Sequence, residues 1–217
     1  MQILLISSSP RKEKSQTLLL AKEVLKGFPD AVKTEIIHLR DQKIEFCRHC
    51  ENCHKKIMSC PIKDDADMIL EKMLKTDGII FATPNYINQI TASMKALWDR
   101  AAHFIHCKRF QDKYVIGVVS SGSGQDKVVL EYIKYYANTC GALYSGGVSS
   151  RVPINKEKME EAFKLGNKLI SDIQEKKVFP EQIKNIEAFK EHFKHVMQMR
   201  KDEWAEEYQY WLNKGWI

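Results

Sequence analysis

Residues 2–17 read QILLISSSPRKEKSQT, and this stretch is the strongest indication of the fold. Its unbroken apolar run predicts a buried strand over residues 2–7. A polar loop follows, and residues 15–28 then space their apolar side chains as a helix does. A buried strand that runs through a polar loop into a helix is typical of the first unit of an α/β protein.

The alternation of short apolar runs with longer amphipathic runs continues to residue 173. Further strands are predicted over 32–39, 78–82, 114–120 and 142–148. One helix is predicted to begin after a cap at Asp64-Asp65 and to bury Met68, Ile69, Met73 and Leu74. Three more helices are predicted over 90–105, 126–140 and 155–173, and Phe163 is expected on the buried face of the last. Five strands separated by helices predict a parallel sheet covered on both faces, because parallel strands need crossover connections.

Residues 1–177 are therefore predicted to form one domain, followed by a helical C-terminal extension over residues 178–217. The extension is rich in charged and aromatic residues. Trp204, Tyr208 and Trp211 lie four and three residues apart and form one stripe on a helix. We expect this aromatic stripe to pack on the domain or on a partner subunit.

Charge and composition exclude several classes of protein. Lys and Arg exceed Asp and Glu by 34 − 28 = 6, but the basic residues are scattered rather than grouped as in a nucleic-acid site. No apolar run approaches the roughly 20 residues of a membrane span, and the first residues do not resemble a signal peptide. We expect a cytoplasmic protein, with neither nucleic acid nor a membrane as its partner.

Three polar loops follow the predicted strands one, three and four: residues 7–17, 83–91 and 120–125. Open parallel sheets bind ligands at the carboxyl ends of their strands, so these loops are the candidate site. The first loop combines hydroxyls, Arg11 and a helix N-terminus, which suits a phosphate. It matches neither the NTPase phosphate-loop pattern nor the dinucleotide pattern. The alternative is an ordinary polar loop with a helix cap.

These loops resemble those of the NADPH-dependent FMN reductases, which are flavodoxin-like flavoproteins. Ser8-Ser9-Pro10-Arg11 is similar to the family's Gly-Ser-Pro-Arg, although Ser8 stands where Gly is usual. The second loop resembles the family's Ser-Pro-x-Tyr…Lys-x-x-x-Asp-Arg segment, which borders the flavin ring, through Pro84, Tyr86, Lys95, Asp99 and Arg100. The Gly-rich third loop is similar to the third flavin loop of the same family.

The resemblance covers about residues 1–175 and implies a flavodoxin-like three-layer sandwich that binds FMN. NAD(P)H is the implied co-substrate, and a homodimer or homotetramer is the implied assembly. The implied FMN-binding residues are Ser9, Arg11, Ser15, Gln16 and Thr17 in the first loop, Pro84, Asn85, Tyr86, Ile87 and Asn88 in the second, and Ser121, Gly122, Ser123 and Gly124 in the third.

The cysteine loop, residues 46–61, contains Cys47-x2-Cys50-x2-Cys53-x6-Cys60 followed by proline. Thiolates at this spacing can enclose a compact cluster. The pattern resembles that of the iron–sulfur flavoproteins, which implies a [4Fe–4S] cluster in exchange with FMN. Zinc could instead use the four cysteines, or three of them with His49 or His54. The thiols could also be free, or form a disulfide on oxidation.

The leading hypothesis is an FMN-dependent oxidoreductase that takes electrons from NAD(P)H or a reduced carrier and gives them to a small-molecule or protein acceptor. A non-enzymatic electron carrier is the second hypothesis. A zinc-stabilised interaction module is the third. No histidine forms a persuasive triad with a nearby Ser or Asp, so no catalytic side chain is assigned.

Overall fold

The computed structural model describes all 217 residues and contains one five-stranded sheet in the order β2-β1-β3-β4-β5. Every pairing in the sheet is parallel. The strands are Gln2–Ser7 (β1), Lys33–His38 (β2), Gly78–Pro84 (β3), Tyr114–Ser121 (β4) and Leu143–Arg151 (β5). This strand order is that of flavodoxin-like folds. The predicted fold class is confirmed.

Helices cover both faces of the sheet and create two hydrophobic cores. The helices are Gln16–Lys26 (α1), Asn52–Lys55 (α2), Ala66–Lys75 (α3), Ala92–Asp99 (α4), Ala102–His106 (α5), Asp126–Thr139 (α6), Lys156–Gln174 (α7), Pro180–Met199 (α8) and Ala205–Asn213 (α9). One core lies between the sheet and the pair α1 and α7. The other lies between the sheet and α3, α4 and α6. The sheet is buried on both faces, which explains why its strands are nearly continuous apolar runs.

Two predicted elements differ from the structure in their extent. The single helix expected over residues 90–105 is two helices, α4 and α5, because Ala101 between them has φ −103° and ψ 27°. Apolar spacing continues across this break, so the sequence pattern does not reveal it. The last strand, β5, begins at Leu143 and continues to Arg151, beyond the predicted end at residue 148.

Two side-chain predictions for the helices were wrong. Met68 and Phe163 were expected to be buried but are 39% and 42% exposed, because each lies at the edge of an apolar stripe wider than the contact. The Asp64 carboxylate, rather than that of Asp65, caps α3 by accepting the backbone N–H of Ala66 at 3.0 Å. Asp65 instead accepts the backbone N–H of Lys43 at 2.7 Å.

The C-terminal extension packs on the domain through α8 and α9. Trp211 is fully buried, and Trp204 is nearly so, in a small cluster with Cys107 and Met197. The Nε1 of Trp211 donates to the backbone carbonyl of His106 at 3.1 Å. The aromatic stripe therefore packs on the chain itself, which leaves little of it to contact a second subunit. The division at residue 177 stays a prediction.

None of the helices combines the length and the apolar character that crossing a bilayer requires.

Candidate cofactor site

The three polar loops meet at one edge of the sheet because β3 pairs with both β1 and β4. The backbone N–H of Ser8, just after β1, donates to the carbonyl of Ala82 in β3 at 2.9 Å. The backbone N–H of Asn85, just after β3, donates to the carbonyl of Ser120 in β4 at 2.8 Å. The strand register therefore brings the three loops to adjacent positions.

The first loop presents hydroxyls and a helix N-terminus to the same space. Ser15 caps α1, since its Oγ accepts the backbone N–H of Leu18 at 3.1 Å. The Oγ of Ser9 accepts the backbone N–H of Arg11 at 3.4 Å, while the Arg11 side chain is exposed to solvent. The N-terminus of an 11-residue helix carries partial positive charge and unpaired N–H groups. This combination suits an anion such as a phosphate.

Side-chain hydrogen bonds join the loops to one another. The hydroxyls of Thr17 and Ser120 lie 2.6 Å apart, and the Nδ2 of Asn85 donates to the carbonyl of Gly124 at 3.2 Å. Gln16 is engaged elsewhere, because its Oε1 accepts the backbone N–H of Ile154 at 3.4 Å, beyond β5. The three loops that contain the predicted residues therefore converge, and the role of those residues in binding stays a prediction.

A tight turn in the second loop exposes an apolar side chain. Tyr86 and Gln89 exchange backbone hydrogen bonds of 2.9 and 3.1 Å, and the residues between them, Ile87 and Asn88, have φ of 53° and 59°. A β-branched residue at positive φ is an outlier. Ile87 is also 99% exposed. Strain at an exposed apolar residue marks this turn as a candidate contact for a ligand or another chain.

The loops fit FMN by the chemistry of their donors and acceptors. The first loop offers donors for a phosphate. Buried polar atoms without a partner occur in or beside the loops: Ser7 Oγ, Asn85 Oδ1 and Asp126 Oδ1. A side chain at Gly122 would meet no atom within 4 Å, so the third loop borders open space. A cavity of about 990 Å³ lies elsewhere, between α4, α6 and α8. The polar loops instead form an open edge.

The four cysteines of the cysteine loop line one small cavity of about 40 Å³. Cys47 and Cys50 are exposed, whereas Cys53 and Cys60 are partly buried. Arg100 lies beside Cys60 and also lines this cavity, so a cation faces the thiols. The sequence prediction that these four side chains gather at one place agrees with this arrangement.

Four thiols around one cavity suit either a zinc ion or an iron–sulfur cluster, since cysteine thiolates bind both. A second group of potential metal ligands lies nearby, because one ligand atom each of His54, His106 and Glu207 lie within 4.8 Å of one another.

Arg100 and Asp64 form a buried ion pair that the sequence did not indicate. Their side chains are 1% and 0% exposed, and the guanidinium donates to the carboxylate at 2.7 and 3.1 Å. The same guanidinium donates to the carbonyls of Glu45 and Ile62, on either side of the cysteine loop. Arg100, at the C-terminal end of α4, thus holds both ends of the cysteine loop, and its predicted place at the border of the flavin stays a prediction.

Burial opposes ionisation of Asp64, but its hydrogen bonds outweigh that effect. The donors are Arg100 and the backbone N–H groups of Glu45 and Ala66. Together they hold the pKa of Asp64 below its usual value.

The six thiols of the iron-free protein are expected to differ strongly in reactivity. Burial raises the pKa of Cys140 to about 12 and also raises the pKa of Cys107, while Cys47 and Cys50 lie on the surface. Alkylation at pH 8 should modify Cys47 and Cys50 on the order of 100-fold faster than Cys140. Peptide mass spectrometry measures these rates, and in urea all six cysteines should react alike. Comparable rates in the folded protein would contradict the structure.

Residues 1–153 match the model of the NADPH-dependent FMN reductase family. An iron–sulfur flavoprotein of Methanocaldococcus jannaschii is 40% identical over 101 residues, which are 46% of this chain and 52% of that protein. The alignment thus spans about half of that relative. An iron–sulfur flavoprotein of Archaeoglobus fulgidus is 25% identical across 98% of both chains, so its alignment includes α8 and α9.

Among solved structures, a flavone reductase superposes with a TM-score of 0.63 over 80% of this chain and 63% of its own. The two sequences are 18% identical. At this level of identity the likeness shows a shared fold.

Proposed function

The chain belongs to the NADPH-dependent FMN reductase family, and we propose that it binds FMN at the three polar loops and works as an FMN-dependent oxidoreductase. Electrons would come from NAD(P)H or a reduced carrier and pass to a small-molecule or protein acceptor. One observation carries the proposal: loops after β1, β3 and β4 converge and are joined by the Thr17–Ser120 and Asn85–Gly124 hydrogen bonds. Ligand binding at this edge is typical of such sheets.

The roles of the chain's own residues follow from their positions. Ser9, Ser15, Thr17 and Arg11 bind the phosphate, together with the N-terminus of α1. Asn85 and the third loop orient the ring, and no side chain acts as a nucleophile. When bound, FMN accepts hydride and releases electrons singly or in pairs.

We also propose that the cysteine loop holds a [4Fe–4S] cluster through Cys47, Cys50, Cys53 and Cys60. Support comes from their shared cavity and from the iron–sulfur relatives. Arg100 beside Cys60 would offset part of the negative charge that four thiolates bring. Such a cluster would exchange electrons with FMN.

The deciding experiment is the absorbance spectrum, with iron analysis, of protein purified anaerobically and supplied with FMN. The proposal expects a flavin spectrum, iron near four atoms per chain on the cluster stoichiometry, and steady oxidation of NADPH or NADH. A flavin-loaded protein that oxidises neither nicotinamide would instead be an electron carrier. A colourless protein that refuses FMN and contains zinc would be an interaction module.

Replacing Arg11 with alanine is expected to weaken FMN binding by about 10- to 100-fold, the usual value of a charge-assisted hydrogen bond. Riboflavin lacks the phosphate, so its affinity should not change. Fluorescence titration of the iron-free protein with both flavins measures the difference. The control is Lys33→Ala, which removes the same charge from an exposed side chain of β2. An equal loss for riboflavin and FMN would contradict phosphate recognition by Arg11.

We further propose a cytoplasmic location and a homodimer or homotetramer. A second copy would cover Ile87, whose apolar side chain is fully exposed beside the polar loops.

A further inference from the structure

The cysteine loop touches the C-terminal extension near its middle. Its two ends are held by Arg100, through the carbonyls of Glu45 and Ile62. The residues between Cys50 and Cys60 are held from another side, by α9 and by Trp204, which immediately precedes α9. The loop is thus fastened both by the domain and by residues about 150 positions further along the chain.

Glu207 is the centre of this second attachment. Its side chain is 0% exposed, and its two carboxylate oxygens lie 2.8 Å from Nδ1 of His54 and 3.0 Å from Nδ1 of His106. His54 directly follows Cys53, whereas His106 ends α5 of the domain. A buried carboxylate is costly unless it is hydrogen-bonded, and here both oxygens have a partner. Glu207 therefore joins the cysteine loop to the domain at one point.

Two neighbouring contacts strengthen the same attachment. The Nε1 of Trp204 donates to the carboxylate of Glu51 at 3.1 Å, and the carboxylate of Glu206 accepts the backbone N–H of Ile57. The Trp204 ring also packs against the rings of His54 and His106, with centroids 4.5 and 4.8 Å away. These contacts span the segment from Glu51 to Ile57, which contains Cys53.

We propose that α9 sets the position of the cysteine loop, and that Glu207 is the positioning residue through which it acts on Cys53. The inference rests on the proposed cluster for its functional meaning. A loop held in place before the cluster forms loses less conformational freedom when its thiolates bind, so the cluster is retained more firmly. The C-terminal extension is on this view part of the redox site, although it supplies no ligand.

The test compares Glu207→Gln with Glu203→Gln, which removes the same charge from an exposed residue of the same region. Hydrogen–deuterium exchange of the iron-free protein reports how firmly each segment is held. In Glu207→Gln, amides of residues 51–57 should exchange at least about 10-fold faster, while those of the sheet stay unchanged. Trp204→Phe keeps an aromatic ring but loses the indole N–H that donates to Glu51, and should loosen the same segment less.

The second readout is the rate at which a chelator removes iron from the reconstituted protein. Glu207→Gln should release iron about 10-fold faster than either wild type or Glu203→Gln, because the same loosening of the cysteine loop exposes the cluster. The affinity of Glu207→Gln for FMN should equal that of wild type. Unchanged exchange over residues 51–57, or faster exchange across the whole sheet, would overturn the positioning role. The positioning role would also be overturned if wild type and Glu203→Gln each held one zinc ion per chain and Glu207→Gln held none, because Glu207 would then be a metal ligand. If wild type takes up no iron, the cluster proposal fails, and exchange in the iron-free protein still decides the role of α9.

Discussion

Replacing Arg100 with leucine is expected to lower the free energy of unfolding by about 3–5 kcal/mol. The change leaves the Asp64 carboxylate buried without its cation, and burial of an uncompensated charge is strongly unfavourable. Two carbonyls on either side of the cysteine loop lose their donor at the same time. Urea denaturation of the iron-free protein, followed by tryptophan fluorescence, measures the loss.

The charge itself can be separated from the lost packing. The double variant Arg100→Leu/Asp64→Asn should recover at least about 1 kcal/mol, because asparagine keeps an acceptor for the backbone without a charge. Lys95→Gln breaks the exposed pair with Asp99 and should cost less than about 1 kcal/mol. A loss below about 1 kcal/mol for Arg100→Leu would contradict the buried pair.

The Arg100–Asp64 ion pair also makes the free energy of unfolding depend on pH. Because the pKa of Asp64 is lower in the folded chain than in the unfolded chain, its contribution is present at neutral pH. It is lost as the pH falls from the ordinary pKa of an aspartate towards the lowered one. Arg100→Leu should therefore lose stability less steeply than wild type over that acidic range.

The second large effect is expected from Gly166→Ala. Alanine is the better helix former by about 1 kcal/mol, so propensity alone predicts a more stable α7. The new Cβ, however, would lie 2.0 Å from the carbonyl oxygen of Val24 in α1. Both atoms belong to rigid helices, and a backbone carbonyl cannot turn aside as a side chain can. The clash should outweigh propensity and lower stability by about 3 kcal/mol or more.

Gly27, which ends α1, shows the same close approach to α7, since a Cβ added at Gly27 would lie 2.3 Å from the carbonyl oxygen of Phe163. The control is Gly122→Ala, whose Cβ meets nothing and whose stability should stay within about 0.5 kcal/mol of wild type. Thermal and urea unfolding measure both variants. Because α1 begins at the first polar loop, a displaced α1 should also weaken FMN binding. A stable Gly166→Ala variant would mean that α1 and α7 separate easily.

The pattern of apolar residues within short stretches was sufficient to predict the five strands of the sheet. Strands such as β3 and β4 are buried on both faces, so each is a continuous apolar run in the sequence. The break between α4 and α5 could not be predicted, because the apolar spacing continues across Ala101, whose backbone leaves the helical conformation. The exposure of Phe163 likewise depends on how closely α7 approaches α1. These details are decided by contacts between distant residues.

By itself, the sequence determined the order of strands and helices along the chain, the polar loops that follow three of the strands, and four cysteines close enough in the chain to share a cavity. All of these follow from residues near one another, because periodicity and spacing are local properties. Only the tertiary structure decided that Arg100 serves the cysteine loop and that Glu207, 153 residues after His54, holds it from the other side. Nothing in the surroundings of Glu207 along the chain marks it, since a buried carboxylate acquires its partners only when the packed helices bring two histidines to it.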